Sequence, residues 1–210
     1  MSPFSFIKYH WKNPMTVDEL LDYYREGAFP MARSRDDDAF DMVAPLTRAL
    51  LPIKEFHIPK RLKRKISQIP FDIRFDTDFE QVILACADAK RAHETDTWIN
   101  DHIISLFLKL HRMGIAHSVE CWTRHNNQLV GGLYGLTLGS TFCGESMFST
   151  EVDASKIALV HLVQRLQKKG FKLLDSQFRN PHLDQFGLYE MPQEDYIALM
   201  QTSLNDKVEF

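Results

Sequence analysis

The stretch that decides the fold reads His117-Ser-Val-Glu-Cys-Trp-Thr123, Arg124-His-Asn-Asn127, Leu129-Val-Gly-Gly-Leu-Tyr-Gly135 and Ser140-Thr-Phe-Cys143. Ahead of Gly114 the apolar residues recur at helical spacing. From His117 they alternate, the period of a half-buried strand. Arg124 to Asn127 has the composition of a turn. The pattern predicts strands over His117–Thr123, Leu129–Gly135 and Ser140–Cys143, close enough in sequence to pair as an antiparallel meander. Asp153 then caps an apolar helix that stops at Gly170, and Phe171–Phe178 reads as a fourth strand.

Working outward, Thr16-Val-Asp-Glu19 has the form of a capping box, and Gly27 closes the helix it opens. An irregular stretch follows, with Pro30, the run Arg33-Ser-Arg-Asp-Asp-Asp38, Pro45 and Pro52. Residues 1–54 are therefore read as a small N-terminal domain with little regular structure, and 55–210 as the main domain. The latter begins with five basic residues in six, Lys60-Arg-Leu-Lys-Arg-Lys65. Phe71–Phe75 alternates as a strand. Thr77-Asp-Phe-Glu80 reads as a second capping box, for a helix to about Ala89. Arg91–Asp96 is a polar loop, and a helix follows from Asn100 to Met113. The fold class is α+β: helices, a meander and a crossover unit, the plan of acetyltransferase-like (GNAT-type) acyl-transfer folds.

Composition narrows the function. The 210 residues are 44% hydrophobic and 25% charged, ordinary for a globular chain. A net charge of −3 means that any nucleic-acid contact must come from a local basic patch. Cys86, Cys121 and Cys143 are too few and too scattered for a disulfide framework and read as buried thiols. The N-terminus lacks the apolar core of a secretory signal, and no run approaches the roughly 20 apolar residues of a membrane span. A cytoplasmic location is expected. Neither HExxH nor paired CxxC is present, nor a Walker loop or dinucleotide fingerprint, so no metal or cofactor is expected.

Few stretches could carry chemistry. In Leu173-Leu-Asp-Ser-Gln177, Asp175 and Gln177 project from the same face of a strand, an acid beside an amide in apolar surroundings; the alternative is a strand end meeting solvent. Gly144-Glu-Ser-Met-Phe-Ser149 follows a strand and precedes a helix. Phe148 stands where a nucleophile elbow needs its second glycine, so Ser146 is not read as a nucleophile. This stretch is read as a polar capping loop, or as one whose Glu145 binds an amine. Leu159, Leu162 and Leu166 share one helix face, which is either core or the wall of a pocket. The basic run suits phosphates or is a solvated face. Trp98, Trp122 and Phe40 could stack on bases or simply pack. Phe148-Ser-Thr-Glu-Val-Asp153 has two acids and no glycine where ordinary acetyltransferases hold coenzyme A pyrophosphate, which argues against a coenzyme A-dependent N-acetyltransferase.

Several longer stretches coincide with one family. They are Glu19-Leu-Leu-Asp-Tyr-Tyr-Arg-Glu-Gly-Ala-Phe-Pro30, Thr97-Trp-Ile99, Leu110-His-Arg-Met-Gly114, Ala116-His-Ser-Val-Glu120 with Trp122, and Leu129 to Gly135. Gly144 to Ser149, Asp153-Ala-Ser-Lys156, Asp175-Ser-Gln177 and His182-Leu183 complete the set. Over nearly its whole length the sequence resembles the bacterial leucyl/phenylalanyl-tRNA–protein transferases. The resemblance implies transfer of Leu or Phe, less often Met, from aminoacyl-tRNA to proteins beginning with Arg or Lys. That addition marks them for degradation under the N-end rule. It implies that Asp175 and Gln177 are the catalytic pair and that Glu145 contacts the acceptor. Leu133, Leu159, Leu162, Leu166 and Leu174 would form the aminoacyl pocket, and Lys60, Arg61, Lys63, Arg64 and Lys65 a tRNA-binding patch. Many members carry adjacent tryptophans that stack on the terminal adenosine. Here the region reads Phe40-Asp-Met-Val-Ala-Pro45, so Phe40 or Met42 would take that place.

The implied reaction is aminolysis of an ester, in which orientation of the two ends can contribute roughly 7–11 kcal/mol. The Gln177 carbonyl can accept an amine hydrogen and aim the lone pair, with Asp175 holding the amide. Direct removal of an ammonium proton by an ordinary aspartate would be uphill by about 4 pKa units.

Overall fold

The computed structural model describes residues 9–11, 15–68, 70–89 and 96–210. The N-terminal part holds β1 (Tyr9–Trp11), α1 (Val17–Arg25), β2 (Phe29–Met31), β3 (Phe40–Val43) and β4 (Thr47–Leu51). There follow α2 (Lys60–Ser67), β5 (Asp72–Phe75), α3 (Phe79–Ala87) and α4 (Asp101–Arg112). The meander and crossover comprise β6 (Ala116–Trp122), β7 (Leu129–Leu138), β8 (Thr141–Ser149), α5 (Ala154–Lys169) and β9 (Leu173–Gln177). The chain closes with α6 (Pro181–Asp184), β10 (Tyr189–Pro192) and α7 (Gln193–Ser203).

The fold is mixed α+β, built on a seven-stranded sheet in the order β10-β4-β9-β8-β7-β6-β5. β6, β7 and β8 pair antiparallel, and β9 returns through α5 to lie parallel to β8, so meander and crossover sit as the sequence pattern predicts. β1, β3 and β2 form a separate three-stranded sheet. The region expected to be irregular is thus ordered by strand pairing. β4, on the N-terminal side of residue 54, is hydrogen-bonded inside the large sheet, between β10 and β9.

Two apolar layers cover the sheet. On one face α1, α3, α4 and α7 pack with Tyr134, Leu136, Cys143 and Leu173. On the other, α5 and Leu62 of α2 pack with Val119, Leu133, Phe142 and Leu174. Gly131 lets α5 sit close, since a β-carbon there would meet the Ala154 Cβ at 2.4 Å.

Local signals mostly hold. The Thr16–Glu19 capping box forms, with the Thr16 N–H donating to Glu19 Oε2 at 2.8 Å. At α3 the cap falls one residue later than expected: Asp78 accepts from the Gln81 N–H at 3.1 Å. Thr77 is diverted because its N–H donates to Glu120. Glu120 is fully buried and accepts from Thr77, Asp78, Ser118 and Trp122, pinning the start of α3 to β6. The largest correction concerns Gly144–Ser149, which is strand rather than loop: β7 runs on to Leu138 and supplies partners along β8 to Ser149. Of the loop expected at Arg91–Asp96, only Asp96 lies among the described residues. Among these, no helix is long and apolar enough to cross a membrane.

Candidate active site

The site lies where two neighbouring strands part. β8 and β9 pair through Thr141–Leu173, Phe142–Leu174 and Cys143–Asp175, and there the ladder stops. Each strand is irregular just beyond. On β8 the register jumps from Gly144 opposite Gly135 to Ser146 opposite Tyr134, so Glu145 is the extra residue of a bulge. On β9, Asp175 faces Leu50 and Gln177 faces Ala49, which leaves Ser176 over. Gln177 has φ +62° and is spanned by a tight turn in which the Phe178 N–H donates to the Ser176 carbonyl at 2.7 Å. For a residue other than glycine this is a costly conformation, and such strain gathers at functional positions.

Asp175 and Gln177 do come together, though by a different bond from the one expected. Asp175 Oδ1 accepts from the Gln177 backbone N–H at 2.8 Å, not from its side chain. The Gln177 amide instead reaches across the gap, Nε2 donating to Glu145 Oε1 at 2.9 Å. Tyr24 of α1 donates to the same oxygen at 2.8 Å. Three residues from separate segments are thus joined into one chain of hydrogen bonds.

Asp175 is held by a residue that no motif singled out. Arg48, on β4, is fully buried and donates through Nε to Asp175 Oδ1 at 2.8 Å and through Nη2 to Oδ2. Its guanidinium lies over the rings of Phe29 and Tyr196, and Nη1 donates to the Gly27 carbonyl. The Tyr196 hydroxyl donates to Asp175 Oδ2 at 2.9 Å. Burial works against the Arg48 charge, and the adjoining Asp175 more than restores it. The only sequence signal for Arg48 is a lone charge against the apolar run Ala49-Leu-Leu51. Tyr24 and Tyr196 gave no signal distinct from helix packing.

Glu145 differs. Burial, opposed by its hydrogen bonds from Tyr24 and Gln177, pushes its carboxyl up to about 8. Its Oε2 is buried without a partner among the described residues.

Leu133, Leu159, Leu162, Leu166 and Leu174 all belong to the α5-side apolar cluster, the opposite face of the sheet from Asp175. Lys60, Arg61, Lys63 and Arg64 are exposed on α2. Lys65 is not: its ammonium donates to the Val152 carbonyl and lies 3.4 Å from Asp153, so it ties α2 to the start of α5. Phe40 and Met42, placed at the adenosine by the resemblance, are 3% and 0% exposed in the core and offer a base no face. Trp122 is likewise packed, under Arg74 and bonded to Glu120. All three cysteines are free thiols in the interior.

The fold and this hydrogen-bonded cluster define a mixed α+β protein with a buried polar site at a break in its main sheet. The leucyl/phenylalanyl-tRNA protein transferase family model matches residues 50–201. The chain is 52% identical over 193 residues to the transferase of that name from Hyphomonas neptunium, covering 92% of this chain and 74% of that one. With its counterpart from Paramagnetospirillum magneticum the identity is 53%, over 87% and 86% of the two chains. The chain belongs to the leucyl/phenylalanyl-tRNA–protein transferase family. Among solved structures it is similar to L-PGS from Bacillus licheniformis, at 9% identity and a TM-score of 0.46, covering 90% of this chain and 71% of that one.

Proposed function

We propose that this chain transfers Leu or Phe, and less often Met, from aminoacyl-tRNA to the N-terminal Arg or Lys of acceptor proteins. It does so in the cytoplasm and so marks them for N-end-rule degradation. The observation that carries the reading is the Asp175–Gln177–Glu145 cluster at the parted strands of a family member. The acceptor's α-amine attacks the ester carbonyl, and the tRNA 3′ oxygen leaves. With Nε2 engaged by Glu145, Gln177 has its carbonyl oxygen to accept an amine hydrogen and aim the lone pair. Asp175 fixes the Gln177 backbone, and Arg48 fixes Asp175. The five leucines receive the aminoacyl side chain from the α5 side of the gap.

The catalytic part is read as a GNAT-type domain, supported by the meander, the crossover helix and the parallel strands that part beside the site. The division at residue 54 remains our reading of the chain, with β4 contributed to the large sheet from the N-terminal side. Exposed Lys60, Arg61, Lys63 and Arg64 supply the contact to tRNA phosphates. Coenzyme A fits poorly at the start of α5, where Asp153 is already bonded to Lys156 and sits beside Lys65.

The test is a transfer assay with Leu-tRNA and a peptide beginning with Arg. The product should be that peptide extended by one leucine. The same peptide with an acetylated N-terminus, or beginning with Asp, should give none. Extension of all three, or of none, would overturn the reading.

A further inference from the structure

Two carboxyl groups flank the gap between β8 and β9, and their surroundings set them apart. Asp175 spends both oxygens: Oδ1 accepts from Arg48 Nε and the Gln177 N–H, Oδ2 from Arg48 Nη2 and the Tyr196 hydroxyl. These partners are themselves buried, so Asp175 has no oxygen to spare. Glu145 spends one oxygen. Its Oε1 accepts from Tyr24 and Gln177, and among the described residues its buried Oε2 accepts from nothing. Buried polar atoms are rarely left unsatisfied, and one beside a reacting centre calls for a role. Its position on a bulge adds to this, since bulges re-aim single side chains.

We propose that Glu145 Oε2, rather than Asp175, takes the proton that the acceptor's α-amine releases as the new amide forms. The proposal rests on the aminoacyl-transfer reading of the site. The neutral amine attacks the ester carbon, and the C–N bond forms. Its nitrogen gives one proton to the Glu145 carboxylate, and the C–O bond to the tRNA 3′ oxygen breaks. That oxygen takes the proton back from Glu145, which returns to its starting state. No redox partner is needed.

Burial brings Glu145 to about 8, so its carboxylate is a stronger base than an ordinary one. The nitrogen it serves becomes far more acidic once the C–N bond has formed, so the proton passes to Glu145 downhill. Several charged or titratable groups face Glu145: Tyr24 from α1, Cys143 from its own strand, Asp175 from β9 and Arg48 from β4. Asp175 and Arg48 push it in opposite directions. Burial raises both the Tyr24 hydroxyl and the Cys143 thiol well above their ordinary values, so neither competes as a base.

The test is transfer from Leu-tRNA to an Arg-initiated peptide, followed against pH in wild type and Glu145→Gln. In wild type, kcat/KM should fall below pH 8 with a limiting logarithmic slope of about two, because Glu145 and the amine must both lose protons. In Glu145→Gln the slope should drop to about one, and kcat at saturating peptide should fall about a hundredfold or more. Aminoacyl-tRNA affinity and melting temperature serve as fold controls. Should the glutamine variant fail to fold, Glu145→Asp supplies the reading, keeping the slope of about two at a reduced rate. A loss confined to KM with kcat intact, or an unchanged slope in Glu145→Gln, would overturn the assignment. Absence of transfer in the wild type would instead overturn the functional reading itself.

Discussion

Asp175 and Arg48 show how much of this site is structural anchoring. Both are fully buried, and each is the other's main partner. Removing one member of such a pair strands the other, at roughly 3–5 kcal/mol, whereas replacing both with apolar residues of similar volume is often neutral. Asp175→Asn should therefore unfold at markedly lower urea. The double variant Arg48→Met with Asp175→Leu should regain most of the lost stability but not the transfer activity. Recovery of both would mean the pair does nothing for catalysis. Glu145 gives a second prediction at this scale. Its folded value, about 8, lies above the unfolded value of 4.5. The stability it contributes is thus complete below pH 4.5 and is lost as pH rises to about 8. Glu145→Gln should lack that decline, so its melting temperature should gain on wild type across this window. Parallel curves from pH 5 to 8 would contradict the burial argument. None of the supporting contacts was legible in the sequence. Asp175 and Gln177 stood out as an acid and an amide in an apolar strand, but Arg48 reaches Asp175 across 127 positions, and nothing local encodes that distance.

Elements are legible in the sequence where a local signal terminates them. The Thr16 box, Gly114 and Gly170 mark helix ends that the structure keeps. β8 reads as a loop past Cys143 because its polar residues resemble one, whereas its pairing with β7 and its bulge are properties of two strands together. α2 behaves as an element with two faces: Leu62 enters the core, while Lys60, Arg61, Lys63 and Arg64 face solvent. Changing those four to Gln should weaken aminoacyl-tRNA binding whatever the tRNA sequence. It should lower the slope of log affinity against log salt by about one for each phosphate that is no longer neutralised. Lys65→Gln should act differently, lowering thermal stability through its bonds to the start of α5 and leaving the salt slope in place. A slope unmoved by the fourfold change would make this face merely solvated.

At the scale of the whole molecule, one sheet separates an apolar cluster under α5 from a polar cluster reached from α1 and α7. The order of β6 to β9 was legible because it follows sequence order. The places of β4 and β10 were not, since β4 crosses to the sheet from the N-terminal segment and β10 pairs with it at the sheet edge. This layout predicts that amino-acid choice and chemistry separate on mutation. Leu133→Ala should cost about 2–5 kcal/mol of stability, as for any large-to-small core change. If the leucines receive the aminoacyl group, it should also raise the use of Phe relative to Leu. A constant ratio with a falling melting temperature would leave them as ordinary core. The most direct test of the account is single-turnover transfer from Leu-tRNA to an Arg-initiated peptide by Gln177→Ala, with aminoacyl-tRNA affinity measured on the same preparation. The account predicts a rate lower by about a hundredfold, the usual cost of misplacing a reactant, with affinity close to wild type. A wild-type rate in that variant would contradict it.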